Sequence, residues 1–197
     1  PQREGKTALE ADWGDKIAAE ELLKVAKEQR LNTYATIKEQ GGDFVPTGTF
    51  SLYDHVLDMS NTLGIIPEAY AKSGLSQLDT YFAMARGHQK GGVDLPATEM
   101  KKWFDSNYHY LVPEFSEKSE FKLNDNKPVD DFIEAKEAGY NARPVILGPL
   151  TLLWLGKTSK DAQDPNFNRY SLLPKLAQTY VQLFEKLAAA GAPWVQL

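Results

Sequence analysis

No cysteine occurs among the 197 residues. Disulfides, thiolate metal sites and a cysteine nucleophile are therefore excluded from this chain. Such a composition fits a cytoplasmic protein. Histidine is scarce too. His55, His88 and His109 are scattered and form no H-E-x-x-H pair, so these residues alone are not expected to build a zinc site. No apolar run reaches the roughly 18 residues that a membrane span needs. The start, Pro1-Gln2-Arg3-Glu4, has no apolar stretch of the signal-peptide kind. It also has no initiator Met, which leads us to expect that native residues precede it. Positive charge is in deficit, with 22 Lys and Arg against 27 Asp and Glu and a net charge of -5. A general nucleic-acid binder needs the opposite balance on one face. No G-x-G-x-x-G follows an apolar strand, which weakens a dinucleotide-binding reading.

What is present is ordinary for a globular protein, with 42% hydrophobic and 25% charged residues. Residues 18–39 read as a helix with Leu22, Ala26, Thr33 and Ile37 near helical spacing, closed by Gly41-Gly42. Residues 43–46 read as a short buried strand with Pro46 at its end, since proline donates no ladder hydrogen bond. Helices are expected over 51–63, 75–86 and 129–138, each stopped by a glycine. Gly91-Gly92 and Pro96 mark a loop. Short strands are expected at 97–100, 120–123 and 144–147, and residues 158–169 read as loop. The clearest helix spans 172–190, with a stripe of Leu173, Leu176, Tyr180, Leu183, Phe184 and Leu187. Residues 194–197 open a further strand. Helices alternating with short apolar strands imply an α/β fold with a mainly parallel sheet. The sheet is either open and doubly wound or part of a (β/α) barrel. A complete barrel takes about 250 residues.

Several segments are more specific. Glu99-Met-Lys-Lys-Trp-Phe-Asp-Ser-Asn-Tyr-His-Tyr110, followed by Val112-Pro-Glu-Phe115, resembles the E-M-x-K-W-F-[DN]-[ST]-N-Y-H-Y-x-V-P-E-F segment of cobalamin-independent methionine synthases. Phe50 to Leu57 resembles that family's F-S-x-Y-D-H-V-L, and Tyr81 to Gly87 its F-x-M-x-R-G. Pro144 to Pro149 with Leu153 to Lys157 resembles P-V-x-x-G-P…L-W-L-G-K. Ala190 to Gln196 resembles A-G-x-x-W-V-Q. The likeness runs over the whole chain. It implies an incomplete (β/α) TIM-type barrel over 1–197, the amino-terminal one of two, without its first and later strands. The carboxy-terminal barrel with its zinc ligands and most of the homocysteine site would lie outside this sequence.

The resemblance implies transfer of a methyl group from 5-methyltetrahydrofolate, carrying a polyglutamate tail, to homocysteine. Zinc activates the thiol and no cobalamin takes part. This chain would supply scaffold and tail binding, and alone it should be inactive. By motif position, Arg3, Glu4, Gly5 and Lys6 match the family's R-E-x-K tail-binding segment, with Gly5 where leucine is usual. Lys102 matches the lysine of E-M-x-K-W-F, with Lys101 as the register alternative. Arg and Lys suit a tail of carboxylates because charge-assisted hydrogen bonds are the strong ones. Taken without the motif, Arg3 and Lys6 read as solvated terminal charges. Asp105, Asn107, Tyr108 and His109 read as a loop-fixing cluster in preference to acid-base machinery. Adjacent Asp54 and His55 point about 100° apart on a helix, against a dyad. Trp103, Trp154 and Trp194 read as core, and Glu114, Glu117 and Glu120 as a solvated face. The alternative from another class is a non-catalytic (β/α) binding or interaction module of the same ancestry.

Overall fold

The computed structural model describes residues 3–197. In chain order the elements are α1 (Glu4–Trp13), α2 (Ala19–Glu39), β1 (Val45–Thr47), α3 (His55–Thr62), α4 (Glu68–Ala71), α5 (Gln77–Arg86), β2 (His88–Lys90) and β3 (Val93–Leu95). They continue as β4 (Met100–Lys102), β5 (His109–Leu111), β6 (Glu114–Phe115), α6 (Lys127–Glu137), β7 (Ala142–Pro144), α7 (Pro149–Leu155), β8 (Lys157–Thr158), a 3₁₀ turn (Arg169–Leu172) and α8 (Leu173–Ala189).

The parallel centre is short. β1 pairs with β7 in parallel, Val45 opposite Ala142 and Thr47 opposite Pro144. A parallel bridge from Val145 to Gln196 adds the terminal segment on the far side of β7. These segments form an open arc, and the described residues close no barrel. Pro46 lies in the middle of β1 and not at the strand's end. Val45 N donates to Asn141 O and Thr47 O accepts from Val145 N. Alternation then turns Pro46 to the unpaired side of β1, where its missing donor costs no ladder bond. A separate parallel pair joins β6 to β8, and β2–β3 and β4–β5 are antiparallel hairpins.

Two apolar clusters hold these pieces. One gathers Val45, Val56, Leu63, Phe115, Phe132, Leu152 and the α8 stripe around the arc. On α8, Leu176, Tyr180, Leu183 and Leu187 are buried as expected, and each contributes roughly 1.5–3 kcal/mol relative to exposure. The other cluster packs Ala8 of α1, Leu22 of α2 and Phe82 and Met84 of α5 against Leu111 of β5.

Helices α2, α5, α6 and α8 lie where periodicity puts them. On α2 the buried face is Leu22, Ala26 and Tyr34, and Thr33 is exposed, its hydroxyl donating to Gln29 O. Helix α3 begins only at His55, because Asp54 caps it. The strand expected at 97–100 lies at Met100–Lys102. The one expected at 144–147 lies at Ala142–Pro144, continued by the Val145 bridge. Residues 120–123 form no strand, though Lys122 N donates to Leu63 O. Residues 194–197 contribute only the Gln196 bridge. Helices α1, α4 and α7 and the β2–β3 hairpin were not anticipated.

Two tryptophans overturn their core assignment. Trp154 is 53% exposed and stacks on Phe104, itself 66% exposed, and Trp194 is also exposed. Trp103 is half-buried against the first cluster. The three glutamates are not a plain solvated face. Glu114 pairs with Lys157 at 2.9 Å, Glu120 with Lys175, and Glu117 accepts from Gln163 N at 3.0 Å.

Candidate functional site

The carboxyl ends of β1 and β7 open into a cleft of about 710 Å³. Parallel strands leave their ligand crevices at this end, where the connecting loops diverge. Gly48 follows β1 with φ +80°, and a Cβ there would stand 2.6 Å from Val145 O. Only glycine allows the strands to approach so closely in that conformation. Tyr53, His55, Trp103, Tyr108, Lys127 and Thr151 are among the lining residues.

Asp54 organises one wall. Its side chain is fully buried, yet it is saturated with donors. One carboxylate oxygen accepts from Leu57 N at 2.9 Å, capping α3, and from Leu111 N at 3.0 Å, tying β5 to that cap. The other accepts from the Tyr108 hydroxyl. Burial first, and then this bond to Asp54, hold the Tyr108 hydroxyl well above the usual phenol range, so it stays protonated. Tyr108 Oη in turn lies 3.3 Å from His55 N and 3.1 Å from His55 Nδ1. Trp103 packs edge-on to the His55 ring at 4.8 Å. The Asp54 and His55 side chains thus meet mainly through Tyr108, with Nδ1 3.6 Å from the carboxylate. This relay joins residues far apart in sequence, and local spacing carries no sign of it. Loop-fixing does occur in the 105–109 cluster: His109 Nδ1 lies 3.0 Å from Asn107 O, and Trp103 N donates to Tyr108 O.

An ion network starts at the cleft wall with Lys127 and Asp58. Lys127 Nζ donates to Asp131 at 2.6 Å and to Phe50 O at 2.9 Å, and stands 3.7 Å from Asp58. Arg30 makes two parallel bonds to Glu134, at 2.8 and 2.9 Å, and lies 3.7 Å from Asp131. Tyr81 donates to Asp58 at 2.7 Å. Burial raises the Asp58 carboxyl despite the opposing field of Lys127. Burial pulls the Lys127 ammonium down, but Asp131 and Asp58 outweigh it and leave the group above its ordinary range. The helix expected over 129–138 holds Asp131 but not Lys127, and its pattern says nothing of Asp58 or Arg30.

The residues expected to hold a tail lie outside the cleft wall. Arg3 is the residue before α1, with φ 62°, and Glu4, Gly5 and Lys6 form that helix's first turn. Lys6 reaches Glu10 at 3.5 Å, with both side chains exposed. Lys102 ends β4 opposite His109 and is exposed. The two neighbouring lysines differ. Lys101 Nζ lies 3.7 Å from Glu99, whereas Lys102 has no ion pair among the described residues. The residues present do not fit a zinc site. There is no cysteine, and His55, His88 and His109 belong to α3, β2 and β5. Among the described residues no three His, Asp or Glu side chains gather as a metal cluster, and no helix is long and apolar enough to cross a membrane.

Comparison with known proteins gives these features a setting. A family model described as "Cobalamin-independent synthase, N-terminal domain" matches residues 1–197. A protein of Schizosaccharomyces pombe named probable 5-methyltetrahydropteroyltriglutamate–homocysteine methyltransferase is 50% identical over 99% of this chain and 26% of its own length. The Saccharomyces cerevisiae methyltransferase of that name is 49% identical, and the one from a Chelativorans strain 48%, each over 100% of this chain and 26% of its own length. The chain thus spans about a quarter of the length of these relatives. With a match that runs from first residue to last, the chain belongs to the family of cobalamin-independent methionine synthase amino-terminal domains.

Proposed function

We propose that this chain is the amino-terminal part of a methyltransferase that moves a methyl group from 5-methyltetrahydropteroyltriglutamate to homocysteine, and that it supplies scaffold and the binding of the glutamate tail. The observation that carries this reading is the match to methyltransferases of that name across the entire chain. In this reading the open arc of β1, β7 and Gln196 is part of a (β/α) barrel, and the whole enzyme works in the cytoplasm. Zinc, which would favour the thiolate of homocysteine, is held by residues beyond this chain.

Arg3, Glu4, Gly5, Lys6 and Lys102 are the proposed tail contacts, through side chains or through the exposed first turn of α1. The free state of Lys102 supports the choice of register, since Lys101 is already turned to Glu99. A helix start also suits anions, because its first N–H groups point outward. The test is steady-state kinetics of the full-length enzyme. Lys102→Ala should raise the Michaelis constant for the triglutamate substrate and leave that for the monoglutamate nearly unchanged. Lys101→Ala should do little. Equal losses for both substrates would assign Lys102 to the fold or the pterin, and no loss for either would return it to solvent.

A further inference from the structure

We propose that His55 is a specificity residue for the same tail, its Nε2 accepting a hydrogen bond from an amide N–H of the γ-linked glutamyl chain. This rests on the tail-binding reading and adds a contact of a different chemical kind. Each added glutamyl unit brings a carboxylate, which suits lysine and arginine, and also an amide N–H, which needs an acceptor.

Proton bookkeeping fixes what His55 offers. The Asp54 carboxylate can only accept, so the single Tyr108 hydroxyl proton goes to it. Tyr108 Oη then has only lone pairs left, and it uses them on His55 N and His55 Nδ1. A neutral His55 must therefore carry its proton on Nδ1. Nε2 keeps a bare lone pair and has no hydrogen-bond partner among the described residues. Asp54 is buried and saturated, so the relay does not slip. Trp103 fixes the ring plane from the side.

Position supports the assignment. His55 lines the cleft at the strand ends, and its side chain is 36% exposed. Trp103, which packs against it, is the residue directly after Lys102. His55 and Trp103 both line the cleft, and the proposed path runs from Lys102 along Trp103 to His55. The carboxylate that shares the cleft, Asp58, is already engaged by Tyr81 and Lys127.

The experiment uses the full-length methyltransferase with mono- and triglutamate folate, and ¹⁵N NMR of the histidine rings. His55 should show the Nδ1–H tautomer, and Tyr108→Phe should move it toward Nε2–H. His55→Ala should raise the triglutamate Michaelis constant by about 3- to 10-fold, the worth of one hydrogen bond, with kcat and the monoglutamate constant little changed. His55→Gln, whose amide oxygen reaches the Nε2 position, should recover part of that loss. A wild-type Nε2–H tautomer, equal losses for both folates, or no rescue by glutamine would each overturn the proposal. If Lys102→Ala also spares tail discrimination, the tail-binding reading itself fails. If Lys102→Ala abolishes discrimination and His55→Ala does not, only the present inference fails.

Discussion

Replacing Lys127 with methionine keeps most of the length of the side chain and removes the charge that separates the buried Asp131 from the largely buried Asp58. The structure sets the cost. Asp131 loses a 2.6 Å charge-assisted bond but keeps Arg30 at 3.7 Å, whereas Asp58 loses its cation and keeps only hydroxyl donors such as Tyr81. Removing one partner of a buried pair typically costs 3–5 kcal/mol, and the surviving Arg30 puts this case near the lower end, at roughly 3 kcal/mol. For a chain of this size that is a drop in melting midpoint of roughly 6–12 °C. The pH dependence has a definite sign. A carboxyl raised by burial binds its proton more tightly in the folded state than in the unfolded one. Acidification toward that raised value therefore favours the fold, and stability is lost as pH climbs through it. Without Lys127 the Asp58 carboxyl rises further. Thermal unfolding followed by circular dichroism should show the deficit of Lys127→Met shrinking as pH is lowered from neutral toward the raised range of Asp58. Adding Asp58→Asn should recover part of it. A deficit below about 1 kcal/mol, or one independent of pH, would refute the view that Lys127 neutralises Asp58 and Asp131 in a shielded site.

Other outcomes follow from the same packing. Asp54→Ala removes a helix cap and the anchor of Leu111 N and Tyr108, and should lower stability by roughly 2–4 kcal/mol in denaturant titration, well beyond the ~1 kcal/mol of a cap alone. Gly48→Ala forces a Cβ onto Val145 O at a positive φ and should cost about 1–3 kcal/mol, read as a shifted melting midpoint. In alkaline titration the wild type should lose stability as pH rises through the elevated range of Lys127, because a lysine raised by its partners stabilises only while protonated. The isolated 197-residue chain exposes Phe44, Phe104, Leu150, Trp154 and Trp194, and sedimentation should show it self-associating as concentration rises.

Much of this architecture is legible in the sequence, and what is not has physical causes. Long helices announce themselves because burial repeats along one face, as with Leu176, Tyr180, Leu183 and Leu187. Three-residue strands such as β1 and β7 offer too few residues for a period, so their boundaries drift by one or two positions. The β2–β3 hairpin did have a signal: Gly91 and Gly92 both adopt positive φ, as a two-residue hairpin turn requires, yet alone they read as loop. Thr33 and Tyr34 show the limit of a hydrophobic template, since a tyrosine was the buried member of the pair. Trp154 and Trp194 show another, because residue type fixes area and not location. For the site, motif resemblance supplies Arg3, Lys6 and Lys102, whereas the Asp54–Tyr108–His55 relay and the Arg30–Asp131–Lys127–Asp58 network depend on long-range packing and leave no local trace.

The most direct measurement of the central proposal is a crystal structure of the full-length protein with bound triglutamate folate. Tail carboxylates should lie within about 4 Å of Lys102 Nζ and beside the first turn of α1, at ion-pair distance from Arg3 or Lys6. A tail that leaves the pterin site along another surface, with Lys102 and α1 still in solvent, would contradict it.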